Sequence, residues 1–110
     1  MKDISETEAK VLIAFLDESK NIFAREDICT RTSIARTTIL RIFNDMMKLD
    51  YLEKTKISLR NKGRMNVFYR LTPEGRKIAK IVMINKSDVE IDNKKVWTSR
   101  YIEMMLEKKK

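Results

Sequence analysis

The chain contains no histidine, one cysteine, one proline and two glycines in 110 residues. A single thiol cannot make an internal disulfide, and without histidine a Cys/His zinc site cannot be assembled, so neither a metal nor a cofactor is expected. Cys29 itself falls where a short helix wants a small apolar residue, and it reads as a core thiol. Long apolar runs are absent too. Hydrophobic residues reach 43% but are interrupted by the 36% that are charged, which excludes both a membrane span and a disordered chain. The opening MKDISETEAK lacks a basic start followed by an apolar stretch, so no secretory signal is expected and the cytoplasm is the default location. The ingredients of catalysis are also scarce: there is no histidine base, the carboxylates are scattered on polar faces, and no glycine-rich loop could cradle a phosphate. An enzyme is not expected. The length supports one domain.

What the chain does have is positive charge, placed unevenly. Residues 1–30 carry 4 basic and 7 acidic side chains, net −3; residues 31–80 carry 13 and 4, net +9; residues 81–110 carry 7 and 5, net +2. A basic excess confined to the middle of the chain is the electrostatic footprint of phosphate binding, the alternative being a lysine-rich surface that serves only solubility.

Apolar spacing gives the elements. Ser5 and Glu8 form a capping box with Ile4 as its staple, opening a helix that runs to about residue 19 with Val11, Leu12, Phe15 and Leu16 as its stripe. A short helix over 25–30 follows, with Ile28 and Cys29 inward and Phe23 at its entry. A longer one over 36–49 places Ile39, Ile42, Phe43, Met46 and Leu49 on one face. Residues 52–59 and 65–71 read as antiparallel strands joined by Arg60, Asn61, Lys62, Gly63 and Arg64. Thr72, Pro73 and Glu74 are an N-cap, a first-turn proline and a dipole-matching acid for a fourth helix that ends by residue 85. After a polar stretch over 86–93, a fifth helix carries Trp97, Tyr101, Ile102, Met104, Met105 and Leu106 on a wide apolar face.

The short helix, turn and longer helix over 27–52 make a helix-turn-helix, and the strand pair after it makes a wing. The expected fold class is therefore mainly α with a small β-hairpin: a winged helix-turn-helix over 1–85 and an additional C-terminal helical element over 86–110. In this arrangement the second helix enters the major groove of double-stranded DNA. Arg36, Thr37, Leu40, Arg41 and Asn44 are the candidate base readers, because arginine pairs bidentately with guanine, asparagine with adenine, and Leu40 or the Thr37 methyl can touch a thymine methyl. Arg31, Thr32, Thr38, Lys54, Lys56 and Arg76 are candidate phosphate contacts. The wing tip, residues 60–64, is expected at the minor groove or on the backbone.

The stretches TSIARTTILRIFNDMMKLDYLEK and YRLTPEGRKIAK resemble the recognition helix and post-wing helix of MarR-like and archaeal Lrs14-like transcription regulators. The resemblance spans about residues 4–84 and implies a dimeric regulator on promoter DNA whose C-terminal helix builds the dimer. Ser33 and Asp50 stand where such proteins usually carry glycine, and Ala35 where a capping serine or threonine is usual. Val96, Trp97, Tyr101, Ile102, Met105 and Leu106 are the expected homodimer contacts, since that apolar face exceeds what a monomer of this size needs to cover. The other arrangement folds this helix back onto the first helix of its own chain. A dimer of this kind leaves room for a small-molecule effector, for which no residue set is evident. The expected location is the cytoplasm, in association with the nucleoid. The competing function is a chromatin-like architectural protein that binds DNA without sequence preference; a winged helix used only for protein contacts is disfavoured by the basic middle segment.

Overall fold

The structure is a computed structural model that describes residues 2–17, 19–59 and 64–108, with side chains described outside 56–66. Its elements are β1 (Ile4–Ser5), α1 (Glu6–Ala14), α2 (Arg25–Thr32), α3 (Arg36–Lys48), β2 (Leu52–Leu59), β3 (Arg64–Leu71), α4 (Pro73–Ile84), β4 (Val89–Ile91), β5 (Lys94–Trp97) and α5 (Ser99–Lys108). This is a mixed α+β winged helix-turn-helix with an extra C-terminal helix.

The capping box is present: Glu8 N–H donates to Ser5 Oγ at 3.2 Å and Ser5 N–H to Glu8 Oε1 at 3.1 Å. The helix it opens is shorter than expected, ending at Ala14 rather than near residue 19. Asp17 explains the early stop. Its carboxylate accepts from the Ser19 amide at 2.9 Å and hydroxyl at 2.7 Å, and from the Arg31 guanidinium at 3.1 Å, a side-chain turn that competes with helix. The chain then passes Phe23, whose amide and carbonyl pair with those of Tyr69 at 2.9 and 2.8 Å. That bridge fastens β3 to the entry of α2.

The core is an apolar body drawn from every helix. Phe15, Phe23, Phe43 and Tyr69 form a chain of ring contacts, with successive centroids 5.5, 5.7 and 4.7 Å apart for the pairs 15–23, 15–43 and 43–69. Cys29 is only half-buried at the edge of this core. The two expected glycine positions are filled at a conformational cost of roughly 1 kcal/mol each. Ser33 (φ 58°) ends α2 and Asp50 (φ 64°) turns the chain after α3, both in the left-handed region.

A polar joint then locks α3 to α4. Thr72 Oγ1 donates to the Asp50 carbonyl at 2.7 Å and accepts the Gly75 amide at 3.0 Å, while the Thr72 amide donates to the Tyr51 carbonyl at 3.0 Å. Gly75 is obligatory here, because a Cβ on it would lie 2.0 Å from the Tyr51 carbonyl oxygen. Burial pushes the Tyr51 phenol up, helped by the carboxylates of Glu74 and Glu103. Glu103 belongs to α5, so that helix returns along α4 from its end toward its start.

The C-terminal region departs most from expectation. Residues 86–93 are not simply a polar connection, and Trp97 does not lie on a helix. Asp92 (φ 51°) and Asn93 (φ 65°) form a two-residue turn between β4 and β5, and β5 sits at the centre of a three-stranded sheet in the order β1-β5-β4. Ile4 pairs with Trp97 and Ser5 with Val96. Trp97 is buried at 5% exposure, and its indole N–H donates to the Asn85 carbonyl at 2.9 Å. Thr98 then caps α5: its hydroxyl accepts the Tyr101 amide at 3.3 Å and donates to Asp88 Oδ2 at 2.9 Å.

Candidate nucleic-acid interface

The two faces of α3 are chemically separate. Ile39, Ile42, Phe43 and Met46 are buried, whereas Arg36, Thr37, Leu40, Arg41 and Asn44 are all exposed, at positions that share the opposite face. Leu40 is 43% exposed, an apolar side chain set among cations and hydrogen-bonding groups. Thr38 is half-buried at the margin. The α3 N-terminus has no side-chain cap, since Ala35 offers no acceptor, so its first amides stay available to an anion.

Acidic neighbours pre-position the arginines. Arg36 Nη2 lies 2.6 Å from Glu26 Oε1 on α2, with the two side chains 69% and 58% exposed. A pair that open contributes little to stability, so Arg36 can exchange the carboxylate for a phosphate or a base edge at small cost. Arg41 Nη1 is 3.9 Å from Asp45 Oδ2, one turn along, and Lys2 Nζ approaches the same carboxylate at 3.6 Å.

The expected phosphate contacts divide. Lys54 is exposed on β2 beside the Arg70–Glu53 ion pair, and Arg76 is half-buried in the first turn of α4. Arg31 is engaged within the fold, bonded to Asp17 and lying 5.0 Å from the Phe23 ring centroid. The Thr32 hydroxyl likewise donates to the Ile28 carbonyl at 2.7 Å and accepts the Ile34 amide at 3.3 Å, which organises the turn itself. The Lys56 and Arg64 side chains lie outside the described residues, as do Arg60, Asn61, Lys62 and Gly63 of the expected wing tip.

The expected dimer contacts need correction at two positions. Ile102 is 0% exposed and Trp97 5%, both within the core of the same chain, because α5 folds back onto α4 and β5 is pinned between β1 and β4. Val96, Tyr101, Met105 and Leu106 are half-buried, and Met104 is exposed beside them on α5.

One basic feature escaped the sequence reading. A cleft of about 550 Å³ between α1, α3 and the β4–β5 hairpin is lined by Lys10, Arg41, Lys94 and Lys95 together with Glu6 and Asp92. The available clue was the Asp-Asn pair at residues 92 and 93, two residue types that tolerate the positive φ a tight hairpin turn requires. Among the described residues no group of histidine, cysteine and carboxylates is placed to hold a metal, and no helix is long and apolar enough to cross a membrane.

No family model matches the sequence, and no curated protein matches it significantly. Among solved structures, the chain is similar to a MarR family transcriptional regulator from Silicibacter pomeroyi DSS-3, with a TM-score of 0.55 and 18% identity over 91% of this chain and 57% of that one. The fold is thus a MarR-like winged helix, and the chain spans little more than half the length of that regulator.

Proposed function

We propose that the protein is a sequence-specific, double-stranded DNA-binding transcription regulator. The observation that carries this reading is the exposed face of α3, where Arg36, Thr37, Leu40, Arg41 and Asn44 converge while the opposite face is buried. With α3 in the major groove, Arg36 and Asn44 read base edges, Leu40 contacts a thymine methyl, and Lys54 and Arg76 fix register on phosphates. The β2–β3 wing reaches the minor groove or the backbone. The protein works as a cytoplasmic homodimer joined through the outer side of α5, with Tyr101, Met104, Met105 and Leu106 as contacts. The archaeal Lrs14-like character of the reading-helix and post-wing stretches supports the same role.

Selection from a random-core duplex library at near-physiological salt tests this. Enrichment of an inverted repeat with half-sites about ten base pairs apart is expected, matching two reading helices roughly 34 Å apart. Replacing Arg36 or Asn44 by alanine should relax preference at one base position and cost about 1–3 kcal/mol. Retention without any enriched sequence would replace this reading with the architectural one, and no retention would end both.

A further inference from the structure

We infer that the β4–β5 hairpin is a second DNA-backbone clamp, gripping a phosphate run beside the reading helix through Lys94 and Lys95. This rests on the DNA-binding reading above and extends it to a part of the chain outside the helix-turn-helix and its wing. The decisive juxtaposition is the basic cleft. It brings Lys94 and Lys95 of the hairpin and Lys10 of α1 around Arg41, which stands on the exposed face of α3. Four cations face two carboxylates, Glu6 and Asp92, leaving the cleft positive next to the surface proposed to enter the groove. A polyanion seated on Arg41 therefore passes the cleft mouth.

The hairpin is also held where it must be to serve. Its central strand is paired on both sides, to Ile4–Ser5 and to Val89–Ile91. The Lys95 amide donates to Glu6 Oε2 at 3.3 Å, and just beyond the strand the Ser99 amide donates to Asp3 Oδ1 at 2.8 Å. Glu90 lies directly across from Lys95, and Ile91 from Lys94. The two lysines themselves are exposed; as successive residues of a braced strand they leave opposite faces of the ribbon, Lys95 also bordering the neighbouring cleft beside Trp97. Their ammonium groups neutralise phosphates without reading sequence, each releasing a condensed counterion.

The test is the salt dependence of binding for Lys94→Gln/Lys95→Gln on the duplex selected by the wild type. A charge-matched control, Lys80→Gln/Lys108→Gln, changes exposed lysines outside the cleft. The slope of log K against log salt should fall by about 2 in the hairpin variant, with the preferred sequence unchanged. The control should keep the wild-type slope, and circular dichroism should show both variants folded. An unchanged slope in the hairpin variant, or an equal fall in the control, overturns the clamp while leaving the regulator intact. Failure of the wild type to bind any duplex overturns both.

Discussion

The helix-turn-helix lobe and the C-terminal segment are held by different forces. In the lobe, α3 presents four buried apolar side chains to the core, and the Thr72–Gly75 joint fixes its far end. In the segment from 86 to 99, one large side chain, Trp97, is buried, Val89 and Ile91 are exposed, and polar ties from Asp3, Glu6, Asp88 and Asn85 do the rest. Apolar burial is cooperative across the whole core, whereas exposed polar ties open locally, so the lobe should unfold only globally and the hairpin should open first.

The largest effect that could break this contrast is expected from Trp97→Ala, which removes the one anchor. It should cost about 3–5 kcal/mol. Hydrogen exchange should show β4, β5 and α5 amides losing protection ahead of α3 amides; simultaneous loss would mean that the two regions are one unit. Gly75→Ala probes the other side. Its Cβ would collide with the Tyr51 carbonyl, and a global loss of about 3 kcal/mol is expected in urea unfolding, with α3 and the hairpin melting together. Thr98→Ala removes the α5 cap and the hydroxyl bond to Asp88 Oδ2 but keeps the amide bond to Asp88 Oδ1; it should cost about 1 kcal/mol and raise hairpin exchange while leaving α3 protected.

The smallest expected effect lies at the entry of α2. The Ala24 amide holds the Asp27 carboxyl below its usual range, with Lys20 assisting against partial desolvation; Ser19 and, less strongly, Arg31 do the same for Asp17. Groups lowered on folding contribute stability above their unfolded value, near about 3.9, and lose it as pH falls through the folded value. Solvent screening at these exposed positions limits the Asp27 contribution to a few tenths of a kcal/mol, roughly 0.3. Urea midpoints measured from pH 5 to about 2 should fall less steeply for Asp27→Asn than for the wild type.

The same contrast governs how much was legible in the sequence. The repeat of Ile39, Ile42, Phe43 and Met46 is a local signal, and it placed α3 within a residue of where it lies. Eight-residue strands with alternating side chains were equally plain, as was the Thr72-Pro73 start of α4. β4 has only three residues and β5 four, too few for a period to emerge, and half of what defines β5 is its pairing with Ile4 and Ser5, more than ninety positions away. Helical spacing puts Trp97 and Ile102 on an outward face, because it says which residues share a side and not which neighbour covers it. The exposed face of α3 followed from its buried one; the cleft around Arg41 did not, since it joins three elements remote in sequence.

The sheet that joins Ile4 to Trp97 also sets an order of events during synthesis. A nascent chain extrudes α1, α2, α3 and the wing long before residue 97 leaves the ribosome, yet Ile4 and Ser5 have no strand to pair with until it does. Such distant pairing raises contact order and slows the final step of folding. Helix α3 can thus assemble early, while the ribbon beside it closes last, like a clasp fastened after the garment is on.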